Sequence, residues 1–171
     1  TVTTVGVSVA IYWLLKSILE IPIANFLDRN PGEKDDFAIL VGGLFFAALS
    51  AFAFNWVHEI WQLYVVQTMH AIAFALYIPS WSAIFSRHLD KERVSFDWSL
   101  DSTVPGTAAG ITGLLSGIVA EGFGFKVVFA AAGTFSLIAA FVLMLAPNLI
   151  LPKPTHGEAI MKEHTPGELG I

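Results

Sequence analysis

Four long stretches of this chain carry almost no charge, and that fact limits the folds open to it. Phe37 to Val57, Ser102 to Ala120 and Val127 to Pro147 hold no ionisable residue; Ile60 to Ser86 holds only His70. About 20 consecutive apolar residues let a helix cross the hydrocarbon core of a bilayer. One such run would fit the interior of a large soluble protein. Four, joined by short polar loops, leave no amphipathic face to meet water. A fifth stretch, Val2 to Leu27, is as apolar as the rest apart from Lys16 and Glu20. The expectation is an all-α polytopic bundle over residues 1–150, with spans at 2–27, 37–57, 60–86, 102–120 and 127–147. Residues 152–171 are polar, contain Pro and Gly, and are expected to form a disordered cytoplasmic tail.

Composition supports this and removes other classes. Of 171 residues, 55% are hydrophobic and 13% charged, about half the charge of an ordinary soluble domain. The formal net charge of −5 argues against nucleic acid as a partner, since phosphate binding needs a basic patch. The chain has no Cys, hence no disulfide, thiolate zinc site or cysteine nucleophile. It contains no GxSxG, HExxH or P-loop. His58 with Glu59 and His88 with Asp90 fall on opposite sides of the expected membrane, so no metal or cofactor site is expected. The lipid bilayer is the expected surrounding.

The loops set an orientation. Alternate loops and the tail collect seven Lys/Arg on one side and one, Lys126, on the other. The positive-inside rule places the seven in the cytoplasm, and acidic residues contribute little to it. The C-terminus is then inside, with a plasma (inner) membrane location expected, and the N-terminus is outside. The first segment lacks the basic start of a signal peptide and its apolar stretch is too long for one. An external start without a leader or an initial Met leads to the expectation of at least one further helix upstream of Thr1.

The polar residues inside the spans are few. Tyr12, Lys16 and Glu20 follow one another at i,i+4 steps and share a helix face. Each charge costs roughly 2.5–3.5 kcal/mol at the centre of a span. Two readings stay open: a substrate or proton pathway, or a pair that satisfies itself near the cytoplasmic end and snorkels to the interface. Pro22 is expected to kink the helix just beyond. In the third span His70, Phe74, Tyr77 and Trp81 make one stripe. It is read either as an aromatic cavity wall with a titratable His or as a packing face with one hydrogen-bonded His. Gly106, Gly110, Gly113 and Gly117 make the fourth span a surface for close helix packing. The second and fifth spans read as lipid-facing supports. Leu89, Arg93, Phe96 and Leu100 give the segment from Ser86 to Asp101 the spacing of a short amphipathic helix on the membrane surface. Its acids, Asp90, Glu92, Asp97 and Asp101, offset Arg87, Lys91 and Arg93, so it is no basic lipid-binding cluster.

The order of these elements resembles helices two to six of one six-helix half of a major facilitator superfamily transporter. Ala24-Asn25-Phe26-Leu27-Asp28-Arg29-Asn30-Pro31-Gly32-Glu33-Lys34 resembles that family's loop signature Gly-x-x-x-Asp-Arg-x-Gly-Arg-Arg. Ala24 replaces the first Gly, one residue is added before Gly32, and Glu33-Lys34 replaces the basic pair. Gly122-Phe123-Gly124-Phe125-Lys126-Val127-Val128-Phe129 is similar to the family's outer turn of the Gly-Trp-Arg-x-x-Phe type. The Gly-rich fourth span is similar to the family's fifth or eleventh helix, without the Gly-Pro pair of the drug–proton antiporters; Pro105 precedes Gly106 instead. The polar ending at Ile171 leads to the expectation that the chain is part of the C-terminal half.

The resemblance implies secondary active transport of a small solute by alternating access, together with the missing half of the transporter. Asp28 and Arg29 would form a cytoplasmic gating loop. Lys16, Glu20, His70 and Tyr77 would be pathway candidates. Nothing in the residues identifies the solute. The alternative is a non-transporting membrane scaffold or assembly subunit. An intramembrane enzyme would have only His70 as a base, with Gln67 as a poor partner, so no enzymatic activity is expected.

Overall fold

The computed structural model describes residues 1–29, 33–90, 92–145 and 147. The expected tail at 152–171 lies outside the described residues, as do Asn30, Pro31 and Gly32 of the first loop and Lys91 of the second. Among the described residues the secondary structure is helical: α1 Val2–Arg29, α2 Glu33–Ala53, α3 Ile60–Arg87, α4 Val94–Phe123 and α5 Phe125–Leu145. A 3-10 turn at Phe54–Trp56 extends α2. All five helices are long and apolar enough to cross a membrane. The chain is an all-α polytopic transmembrane bundle.

Local chemistry sets the helix ends. The Gln62 carbonyl oxygen accepts from the backbone N–H of His58 at 2.7 Å and of Glu59 at 3.0 Å, which caps the start of α3. Polar Gln62 is thus used at the membrane edge. Exposed Trp56 and Trp61 flank the same turn, as interfacial aromatics do. Gly124 joins α4 to α5 with φ of 84°, a backbone conformation that a side chain would strain. Its N–H closes α4 on the Ala120 carbonyl at 3.0 Å.

The packing is small inside and large outside. Ala47, Ala48, Ala51, Ala71, Ala73, Ala75 and Ala140 are buried, while Trp13, Leu14, Ile18, Leu114, Phe135 and Leu145 are exposed. Water would penalise such an arrangement; lipid tails do not, and small residues let helices approach for van der Waals packing. The closest approach of two helix backbones at a glycine is at Gly43, where a Cβ would lie 3.0 Å from the Tyr77 backbone nitrogen. Gly133 makes similar room for the Phe52 ring.

In space the principal neighbours run α1, α3, α2, α5, α4. This order revises three expectations. α2 is no lipid-facing support: it packs between α3 and α5, and Leu40, Ala48 and Ser50 are fully buried. Mean apolarity cannot separate a helix facing lipid from one facing other helices, because both environments are apolar. Second, Val94–Asp101 is no separate surface helix but the first part of α4, which runs unbroken through Pro105. It stands beside the end of α3, where Trp98 meets Phe85 edge-on at 5.3 Å. Third, Gly106, Gly110, Gly113 and Gly117 do not pack tightly within this chain. Nothing comes within 4 Å of a Cβ built at any of them, and α4 has no buried residue. The glycine spacing describes a smooth surface but carries no information about which helix meets it.

Candidate functional site

α1 brings Lys16 and Glu20 to its middle turns. Lys16 Nζ lies 2.6 Å from Glu20 Oε1 and 5.3 Å from the centre of the Trp13 ring. Lys16 is only 8% exposed, one of three buried residues in α1 with Ser8 and Leu27. The two charges do pair with each other, but away from the helix end: about 20 Å of helix separates Lys16 from Val2 and from Arg29 alike. α1 itself continues through Pro22 to Arg29.

One turn above Lys16, Tyr12 reaches α3. Its ring lies 5.5 Å from the His70 ring and 6.2 Å from Phe74. His70 stacks obliquely on Phe74 at 4.8 Å, and Phe74 meets Tyr77 at 6.1 Å. The stripe on α3 therefore forms a continuous aromatic seam with α1. From the opposite side, Ser50 of α2 lies 2.9 Å from His70 Nδ1 and donates its hydroxyl to the Ala47 carbonyl at 2.8 Å. Ser50 Oγ and His70 Nδ1 thus share a hydrogen bond whose direction follows the imidazole tautomer. Ser50 was invisible in the sequence as a partner, since one Ser in an apolar run gives no sign of which helix it faces.

Trp81, the last member of the stripe, leaves the seam. Its Nε1–H donates to Asp101 Oδ1 of α4 at 2.8 Å, and its ring stacks on Phe85 at 5.8 Å. This tie was not legible beforehand, because Asp101 read as one acid of a surface segment.

At the helix ends, Asp28 and Arg29 are both exposed, and neither forms an ion pair with another described residue. The charge bridge between helices lies elsewhere. Arg87, at the end of α3, pairs with fully buried Asp36 of α2 and lies 3.8 Å from Glu33. His88 Nδ1 stands 3.9 Å from the same Glu33 oxygen. These acids follow the loop where the family signature carries its basic pair, so the polarity is reversed: acids on α2, cations on α3. Among the described residues no three His, Cys, Asp or Glu stand close enough to hold a metal ion.

No curated protein and no solved structure gives a significant match to this chain. One family model does match, that of the Major Facilitator Superfamily, over residues 1–167. That span takes in all five helices, the charge pair of α1 and the aromatic seam of α3. By sequence and architecture together, this chain belongs to the Major Facilitator Superfamily of membrane transporters.

Proposed function

We propose that this chain is part of a secondary active transporter that moves a small solute by alternating access. Two halves would rock about a site near the bilayer midplane. The observation that carries the reading is the Lys16–Glu20 pair in mid-helix, with Lys16 buried and Glu20 half-buried. Ionisable groups at such a level are expensive, and they mark solute or ion paths. Tyr12, His70 and Tyr77 continue the polar and aromatic lining toward α3. The exposed faces of α1 and α4 would meet the other part of the transporter. The chain would lie in a plasma membrane with its C-terminus in the cytoplasm, an orientation that the seven-to-one Lys/Arg asymmetry supports. Asp28 and Arg29, exposed here, would brace neighbouring helices in the other state of the cycle. No catalytic role is assigned to His70.

The test uses the full-length protein in vesicles, with a solute found by screening for uptake. Lys16→Met and Glu20→Gln are each expected to abolish uptake while membrane insertion stays intact. Unchanged uptake in both removes the pair from the pathway. A second reading, a non-transporting scaffold, draws on the self-satisfied geometry of the pair at 2.6 Å. A scaffold tolerates exchanging the two charges, Lys16→Glu with Glu20→Lys; a pathway does not.

A further inference from the structure

We propose that the cleft between α3 and α4 is a recognition subsite for a monovalent organic cation with a flat apolar body. Asp101 supplies the counter-charge, and Tyr77, Trp81 and Phe85 supply the walls. The proposal rests on the transporter reading and names the class of solute that reading leaves open.

The cleft encloses about 360 Å³, with Tyr77, Trp81 and Phe85 on one side and Asp101 and Pro105 on the other. That volume lies in the range of small-molecule sites. Asp101 receives one neutral donor, Trp81 Nε1–H at 2.8 Å, which holds the carboxylate in place without neutralising it. Among the described residues no Lys, Arg or His pairs with it. The nearby cations are engaged elsewhere: Arg87 by Asp36 and Glu33, and Arg93 over the Phe96 ring at 4.7 Å. Pro105 sits four residues on and has no N–H, so the Asp101 backbone carbonyl lacks its helical donor. The same turn thus offers a carboxylate and an acceptor dipole, and among the described residues no cation pairs with the carboxylate.

The wall chemistry selects among ligands. An anion is repelled. A neutral solute would leave the carboxylate uncompensated as it displaces water. A hard divalent ion takes six or more oxygen ligands, and the cleft offers one carboxylate and rings. A delocalised organic cation matches both features, since aromatic faces attract diffuse positive charge and the carboxylate pairs with it.

The experiment titrates the purified full-length protein in detergent with N-methylquinolinium and follows binding by calorimetry. 1-Naphthoate, a fused bicyclic anion of similar size, is the control. The quinolinium is expected to bind and the naphthoate is not. Asp101→Asn is expected to weaken quinolinium binding by about tenfold or more, the effect of losing one charged contact. Asp101→Glu keeps the charge and should retain binding within about threefold of wild type. If Asp101→Asn does not fold, Asp101→Ser serves in its place. Equal affinity for both probes, or undiminished quinolinium binding in the neutral variant, overturns the proposal. Equilibrium binding needs no transport cycle, so the outcomes separate. Uptake unaffected by Lys16→Met sinks the pathway reading alone, and binding unaffected by Asp101→Asn sinks the subsite alone.

Discussion

Replacing Gly43 by alanine probes the closest approach of two helix backbones at a glycine, and its neighbour Gly42 supplies the control. A Cβ at Gly43 would meet the Tyr77 nitrogen at 3.0 Å, the Ala73 oxygen at 3.1 Å and the Tyr77 Cα at 3.2 Å. Carbon contacts are most favourable at about 3.5–4.0 Å. All three atoms belong to the α3 backbone, so no rotamer change relieves the overlap; α2 and α3 must move apart by several tenths of an ångström. Overpacking of this kind costs about 1–3 kcal/mol. Alanine also gains about 1 kcal/mol over glycine in helix propensity, which would mask part of the loss. A Cβ at Gly42 meets nothing within 4 Å, so Gly42→Ala carries the propensity gain without the clash. The difference between the two variants isolates the contact. At roughly 2–4 °C per kcal/mol for a chain of this size, Gly43→Ala should unfold about 2–12 °C below Gly42→Ala. The assay is thermal unfolding of the full-length protein in one detergent, both variants side by side. Midpoints within a degree of each other would refute the close α2–α3 approach.

Two further outcomes are expected. Arg87→Ala removes the charged contact between α3 and fully buried Asp36 and should destabilise by about 1.5–3 kcal/mol, measured by unfolding in detergent; a loss below about 0.5 kcal/mol would show that the bridge adds little. Because the chain has no Cys, single substitutions report sidedness: Glu59→Cys and Gly122→Cys should label from outside and Arg93→Cys from inside, and the reverse pattern would invert the orientation.

The existence of five helices was legible because bilayer thickness imposes a length that charge-free runs reveal directly. The same blindness that makes hydropathy work makes it silent about partners. It reads α2 and α5 alike, yet α2 buries Leu40, Ala48 and Ser50 between two helices while α5 buries only Gly133 and Ala140. It breaks α4 before Ser102 at the last charge, Asp101, although the backbone continues through it. The glycines of α4 are regular in sequence and open in space, whereas the tightest contacts fall on the isolated Gly43 and Gly133.

For the site, periodicity placed Lys16 beside Glu20 and lined up His70, Phe74 and Tyr77, because a helix fixes which residues share a face. Which face of one helix meets which face of another depends on side-chain shape across the gap. No spacing within a single helix encodes that. Ser50 against His70, Trp81 against Asp101 and Arg87 against Asp36 join residues 20, 20 and 51 positions apart. The sequence alone determined the five apolar spans and the charges each carries, since insertion into lipid is decided segment by segment. Only the tertiary structure decided the order α1, α3, α2, α5, α4, the burial of Lys16 and the cleft around Asp101, since packing between helices is settled by complementarity that exists only once they touch.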